Sequence, residues 1–194
     1  MTSVTLVDLG YGNLGSIETA LRRLGTEVQR TSTPEGIASA ERLFVPGVGA
    51  AGFAMERMNA LGLADALRGF AGPALGICLG MHLLFERSEE GDVPMLGLLP
   101  GNVRKLTPTP KFTVPHMGWS RLEVTSETCG VSSGDYVYFA HSFAAPDGIG
   151  TIARAHHGVT VPAVVRSGNW TGAQFHPERS GPTGARFLQA WLAS

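Results

Sequence analysis

Ala74-Leu75-Gly76-Ile77-Cys78-Leu79-Gly80-Met81-His82-Leu83-Leu84-Phe85 is the stretch on which the fold turns. Its first four residues read as a buried strand, and residues 79–87 as a helix. Between them, Gly76-Ile77-Cys78-Leu79-Gly80 sets a thiol at the middle of a glycine-x-nucleophile-x-glycine turn. Such a turn pushes the central side chain out of the sheet, and the glycines let the backbone pass without Cβ clashes. A cysteine at a helix start lies near unpaired amide donors and the positive end of the dipole, both of which favour the thiolate. The Leu79 amide is then placed to face an oxyanion. The same pattern also fits a small core residue in a strand, and the motif alone leaves both readings open.

Upstream, Val4-Thr5-Leu6-Val7-Asp8 is a β-branched run, and residues 13–24 carry Leu14, Ile17, Leu21 and Leu24 at helical spacing. Residues 28–31 and 42–45 read as further strands, the latter ended by Pro46-Gly47-Val48-Gly49. Phe53, Met58, Leu61 and Leu67 mark a helical stretch broken near Gly62. This alternation predicts parallel strands with helices on both faces, because a parallel crossover needs a connection long enough to hold a helix. After about residue 90 the segments become short, turn-bounded and β-like: from Val103, then 119–124, 136–140, 149–155, 163–165 and 173–175. A helix over about 183–192 closes the chain. No repeat or linker interrupts it. Residues 1–194 therefore read as a single three-layer α/β domain, its mixed sheet parallel in the N-terminal half and antiparallel in the C-terminal half.

Composition narrows the function classes. Fifteen Lys and Arg against sixteen Asp and Glu leave a net charge of −1, which argues against a nucleic-acid or anionic-membrane binder. With 43% hydrophobic and 16% charged residues, a sizeable core is expected and disorder is excluded as the main state. The two cysteines, Cys78 and Cys129, sit in different contexts and do not suggest a disulfide framework. The longest uncharged stretch, residues 69–85, is punctuated by glycine and proline and does not read as a membrane span. The start of the chain lacks a basic region before its apolar positions, so a cytoplasmic protein is expected.

A cysteine nucleophile needs a base, and often a third group to fix the base's tautomer. Gln174-Phe175-His176-Pro177-Glu178 leaves an apolar strand. Proline holds the preceding residue extended, and positions i and i+2 of an extended segment share a side, so His176 and Glu178 can pair. His82 lies four residues after Cys78 but has no evident carboxylate; His141 ends a strand and suits a pocket wall. His156 and His157 point opposite ways on a strand, and His116 fits a turn or an interface. No spacing suits a metal site. Gly10-Tyr11-Gly12-Asn13-Leu14-Gly15 matches a dinucleotide fingerprint in form, but the acidic residue expected at the end of the second strand is misplaced.

Pro46-Gly47-Val48-Gly49, Gly76-Ile77-Cys78-Leu79-Gly80-Met81 and Phe175-His176-Pro177-Glu178 together resemble the class I (triad) glutamine amidotransferases. Asp8 to Asn13, Pro115 to Trp119 and Tyr138 to Ser142 narrow the resemblance to the glutaminase subunits of imidazole glycerol phosphate synthase, over almost the whole chain. The resemblance implies a flavodoxin-like fold, with Cys78 as nucleophile, His176 as general base and acid, and Glu178 orienting it. It implies oxyanion amides at Val48 and Leu79, and glutamine contacts at Gly49, His82, His141, Ser142 and Phe143. Asn13, His116, Met117, Gly118, Trp119 and Tyr138 would meet a (βα)₈-barrel cyclase subunit in a heterodimer. Ammonia from glutamine would pass to that subunit and form imidazole glycerol phosphate and an aminoimidazole carboxamide ribotide, in histidine biosynthesis, with no cofactor or metal. The glycine-rich N-terminal loop then becomes an interface element and displaces the nucleotide reading. This chain departs from the family pattern at His82 (usually glutamine), Ser120 (asparagine), Gly15 (arginine) and Phe143 (tyrosine). These departures bear on glutamine affinity and partner contacts, and leave the three catalytic positions intact. A subunit of another amidotransferase, such as those of anthranilate or pyridoxal phosphate synthesis, is disfavoured by Met81 and residues 115–119. A non-catalytic scaffold is disfavoured by the intact triad.

Overall fold

Alternation along the inner strands decides the layers. Val4 and Leu6 in Ser3–Val7, Phe44 in Leu43–Val45, and Leu75 and Ile77 in Ala74–Ile77 enter one apolar cluster, with Ile17, Leu21, Phe187 and Trp191 of two helices. Val7, Leu43, Val45 and Ala74 enter a second cluster on the opposite face, with Met55, Met58, Leu63 and Leu67. A period of two with both faces buried is what a parallel sheet between helical layers requires. The computed structural model describes residues 2–47, 49–125, 130–148 and 150–194.

The main sheet has eight strands in the order Glu27–Thr31, Ser3–Val7, Leu43–Val45, Ala74–Ile77, Trp170–Ala173, Thr160–Ser167, Thr151–His156, Glu123–Val124. The first five are parallel and the last three join antiparallel. Helices Leu14–Arg23 and Gly181–Leu192 cover one face; Pro34–Ala38, Ala51–Ala60 and Leu63–Gly69 cover the other. A ribbon of His116–Arg121 with Tyr136–His141 and a four-stranded sheet, Phe143–Ala144, Leu99–Lys105, Phe85–Ser88 and Val93–Pro94, complete the domain. Among the described residues no helix is long and apolar enough to cross a membrane.

The expected mixed α/β architecture is present, with three refinements. Trp170–Ala173, late in the chain, is parallel to the strand of the nucleophile turn, with Ala173 opposite Ile77. The helix expected over 79–87 stops at His82, and Phe85–Ser88 is a strand. Leu83, Leu84 and Phe85 are all buried, so no periodicity marked the change. Their carbonyls accept from the amides of Leu96, Leu98, Leu99 and Gly97, partners remote in sequence. The short helix Pro34–Ala38 was not anticipated, although Thr33 caps it and Pro34 opens it in the usual manner. Gly62, at φ +68, separates two helices where the break was expected.

The turn around Cys78 is packed backbone on backbone. A Cβ on Gly47 would meet the amides of Leu79 and Gly80, and one on Gly80 would meet the Val45 carbonyl. Neither obstacle is the flexible end of a side chain. Gly80→Ala is therefore expected to lower unfolding free energy by about 2 kcal/mol. Gly52→Ala, at a helical position with open space around it, should raise it by about 0.5 kcal/mol. Urea denaturation of the two variants checks both signs.

Candidate active site

Cys78 stands at the sharp end of the strand Ala74–Ile77 with φ 53 and ψ −109. A residue with a side chain enters this region only at a cost of about 1–3 kcal/mol, met by the surrounding structure. Here the Cys78 amide donates to the Ala173 carbonyl at 2.7 Å, and the Cys78 carbonyl accepts from Met81 at 3.0 Å and His82 at 3.1 Å. The thiol is thereby turned out of the sheet into a cavity of about 440 Å³, also lined by Gly49, Leu79, His82, His141, Ser142, Phe143 and His176. Cys78 thus belongs to both surroundings, an apolar cluster behind it and the cavity in front of its sulfur. Leu79 opens the short helix and lines the cavity, and its amide has no intrahelical acceptor.

His176 arrives on the neighbouring parallel strand. Because Ala173 is level with Ile77, residues 174–176 leave the sheet beside Cys78, at the carboxyl ends of the two strands. The His176 amide donates to the Tyr138 carbonyl at 2.9 Å, and the His176 carbonyl accepts from the Ser180 hydroxyl at 2.7 Å. Its Nδ1 donates to Glu178 Oε1 at 2.8 Å. That bond fixes the tautomer, leaving Nε2 for the thiol. The expected pairing forms, but Glu178 reaches the ring from a 3₁₀ turn, Pro177–Arg179, and not from an extended segment. Burial pushes the imidazolium down; hydrogen bonding to Cys78 and Glu178, and their charges, outweigh it and raise the ring to about 10.

His82 plays no part as base. It is buried, and its Nε2 lies 2.6 Å from Gln174 Oε1, so that nitrogen carries the proton. Burial lowers its pKa to about 4, only partly opposed by the Gln174 bond, and the ring is neutral at physiological pH. The Gln174 amide nitrogen in turn points at the Cys78 sulfur, 3.8 Å away. Gln174 is fully buried beside the nucleophile. Sequence reasoning assigned it no role; a glutamine inside an otherwise apolar strand end was the available signal.

The remaining expected residues divide. Gly49, at φ +94, borders the cavity and packs near Tyr11, where the glycine-rich loop meets the site. His141, Ser142 and Phe143 form one cavity wall. Val48, expected as an oxyanion donor, and Cys129 lie outside the described residues. Met117 and Trp119 are 63% and 55% exposed, and Trp119 faces Tyr138 across the ribbon. Gly118 lies between them at φ +121. Asn13 caps the first helix by accepting from the Ser16 amide. His116 is different: it is buried, at 2% exposure, so its side chain does not present itself at the surface as expected of an interface residue.

Comparison with known proteins places this geometry. The family Glutamine amidotransferase class-I matches residues 5–193. The Imidazole glycerol phosphate synthase subunit HisH of Xylella fastidiosa strain Temecula1 is 50% identical over 99% of this chain and 98% of its own length. That of Xanthomonas campestris pv. campestris strain 8004 is 49% identical over the same shares. Among solved structures, a glutamine amidotransferase superposes with a TM-score of 0.75 at 23% identity, over 98% of this chain and 97% of that one. The structure of PurLQS from Thermotoga maritima gives 0.73 at 22%, over 99% and 98%. The two superpositions bear on the fold; the matched family and the half-identical, full-length relatives bear on descent. This chain belongs to the class I glutamine amidotransferases and, within them, to the HisH family.

Proposed function

We propose that the chain is the glutaminase subunit of an imidazole glycerol phosphate synthase, and that Cys78, His176 and Glu178 carry its chemistry. The observation that carries this reading is that Cys78, at a strained strand end, borders the same cavity as His176, a ring whose Nδ1 is held by Glu178. Glutamine enters the cavity with its side-chain amide at Cys78 and its amino-acid end against the 141–143 wall. The sulfur attacks the amide carbon, and the tetrahedral oxyanion is met by the Leu79 amide and by a donor in the Pro46–Gly49 loop around Val48. His176 gives its proton to the departing ammonia, leaving a γ-glutamyl thioester. The same ring then takes a proton from water, which hydrolyses the thioester and releases glutamate.

Ammonia is the product that matters downstream. It passes to a cyclase partner, a (βα)₈ barrel, docked on the face that carries Asn13, Met117, Gly118, Trp119 and Tyr138. There it completes the synthesis of imidazole glycerol phosphate. His82 takes a place on the cavity wall beside Gln174. The domain works as one unit over residues 1–194, in the cytoplasm.

Reconstitution with the cyclase subunit tests the assignment. Cys78→Ala should abolish product formation from glutamine and leave ammonia-supported product formation within about twofold of the unaltered pair. Equal loss of both activities would refute it. A second measurement concerns pH. With His176 raised to about 10, the imidazolium persists through neutral pH and is lost as pH climbs toward that value. Glu178→Gln removes the anion that helps hold the ring charged. The alkaline limb of kcat/KM should move to lower pH, with a loss of at least about tenfold near neutrality.

A further inference from the structure

Two residues of the ribbon that the mechanism leaves unused, His116 and Ser120, continue a chain of hydrogen bonds that begins at His141 and Phe143 of the substrate wall. His141 Nδ1 lies 2.8 Å from the Phe143 carbonyl, His141 Nε2 lies 2.9 Å from His116 Nδ1, and His116 Nε2 lies 2.8 Å from the Ser120 hydroxyl. The protons along it have a single consistent placement. A carbonyl only accepts, so His141 Nδ1 carries the hydrogen; the neutral ring then has a bare Nε2, which requires a donor, His116 Nδ1–H. That leaves His116 Nε2 bare, and the Ser120 hydroxyl donates to it. Both rings are neutral at physiological pH, since burial lowers His116 to about 4 and His141 to about 3.

The chain is held in place on every side. His116 and His141 are directly opposite in the antiparallel ribbon. The His116 ring is stacked between Phe139, at 4.5 Å and 17°, and His157, at 4.0 Å and 16°. His157 is itself anchored through Nε2 to the Thr113 carbonyl at 2.7 Å. At the far end, the Ser142 carbonyl accepts from the Leu106 amide at 2.8 Å, so the turn bearing Ser142 and Phe143 is tied at two consecutive carbonyls. One of those ties is the histidine chain. The strand at its other end exposes Met117 and Trp119.

We propose that His116 is a positioning residue for glutamine: Ser120, His116 and His141 together hold the Phe143 carbonyl, and with it the cavity wall that receives the substrate's amino-acid end. The inference rests on the glutaminase reading above and adds a specific requirement, a hydrogen-bond donor at position 120 and a two-nitrogen ring at position 116. It also gives the partner-facing strand a direct mechanical link to the substrate wall. A residue that served only to fill space would be replaceable by any ring of similar size.

Three variants in the reconstituted complex with the cyclase subunit separate these roles. His116→Phe keeps a ring in the stack and removes both nitrogens; Ser120→Ala removes the terminal donor; Ser120→Asn supplies an amide donor in its place. The expected result is a glutamine KM raised about tenfold in His116→Phe and about threefold in Ser120→Ala, and within about twofold of the unaltered protein in Ser120→Asn. kcat at saturating glutamine and the ammonia-supported rate should stay within about twofold throughout. The proposal is overturned if KM is unchanged in His116→Phe and Ser120→Ala, if Ser120→Asn loses as much as Ser120→Ala, or if the ammonia-supported rate falls in step. Should His116→Phe fail to fold, the two Ser120 variants decide the matter alone. An unaltered pair that makes product from ammonia but not from glutamine refutes the glutaminase reading instead, and the two failures are thereby distinguished.

Discussion

The parallel pairing of Ala74–Ile77 with Trp170–Ala173 is the constraint on which the site depends. It brings together two strands from opposite halves of the chain and aligns their ends, so the residues that follow each strand emerge at one edge. One strand delivers the thiol and the other delivers the imidazole. A slip of one residue in that ladder would turn each side chain to the opposite face. The register is secured on both sides, by Leu43–Val45 against the first strand and Thr160–Ser167 against the second.

Close backbone approach supports this arrangement. Gly47, Gly76 and Gly80 allow the Pro46–Gly47 segment, the strand end and the helix start to pass with no room for a Cβ. That crowding holds Cys78 in a conformation it would not adopt in isolation, and the energy so stored presents the sulfur to the cavity. Leu79 lines the same space, and as the first residue of the helix its amide has no intrahelical acceptor. The chemistry of the turn thus follows from packing that involves hardly any side chains.

Around this frame, burial sorts the histidines. His176 has an anion on one nitrogen and the thiol on the other, and remains charged. His82, His116 and His141 are buried without a charged partner, and are neutral. The same residue type is held charged in one place and serves as a directional hydrogen-bonding link in others. The difference is set by the partners within reach, the Cys78 thiol first and the Glu178 carboxylate second, which the other three rings lack.

Much was legible from residues alone. The alternation of strand and helix through residue 82 (apart from the short helix Pro34–Ala38), the glycine-flanked Cys78, and the His176-Pro177-Glu178 segment each carry local signals of spacing, turn chemistry or proline restriction. Other features depended on distant partners. Leu83-Leu84-Phe85 is uniformly apolar, so whether it continued a helix or entered a strand rested on hydrogen bonds to residues 96–99. The strand expected over 173–175 lies at Trp170–Ala173, and its parallel placement is set by neighbours far along the chain. His116 fits a turn or an interface by its local sequence, and the family resemblance puts it at the interface, yet alternation across the ribbon turns it inward onto His141. Local sequence determined which residues could do chemistry, because turn and capping preferences act within a few positions. Tertiary structure decided which of them meet, because long-range strand pairing and burial depend on residues that no local window contains.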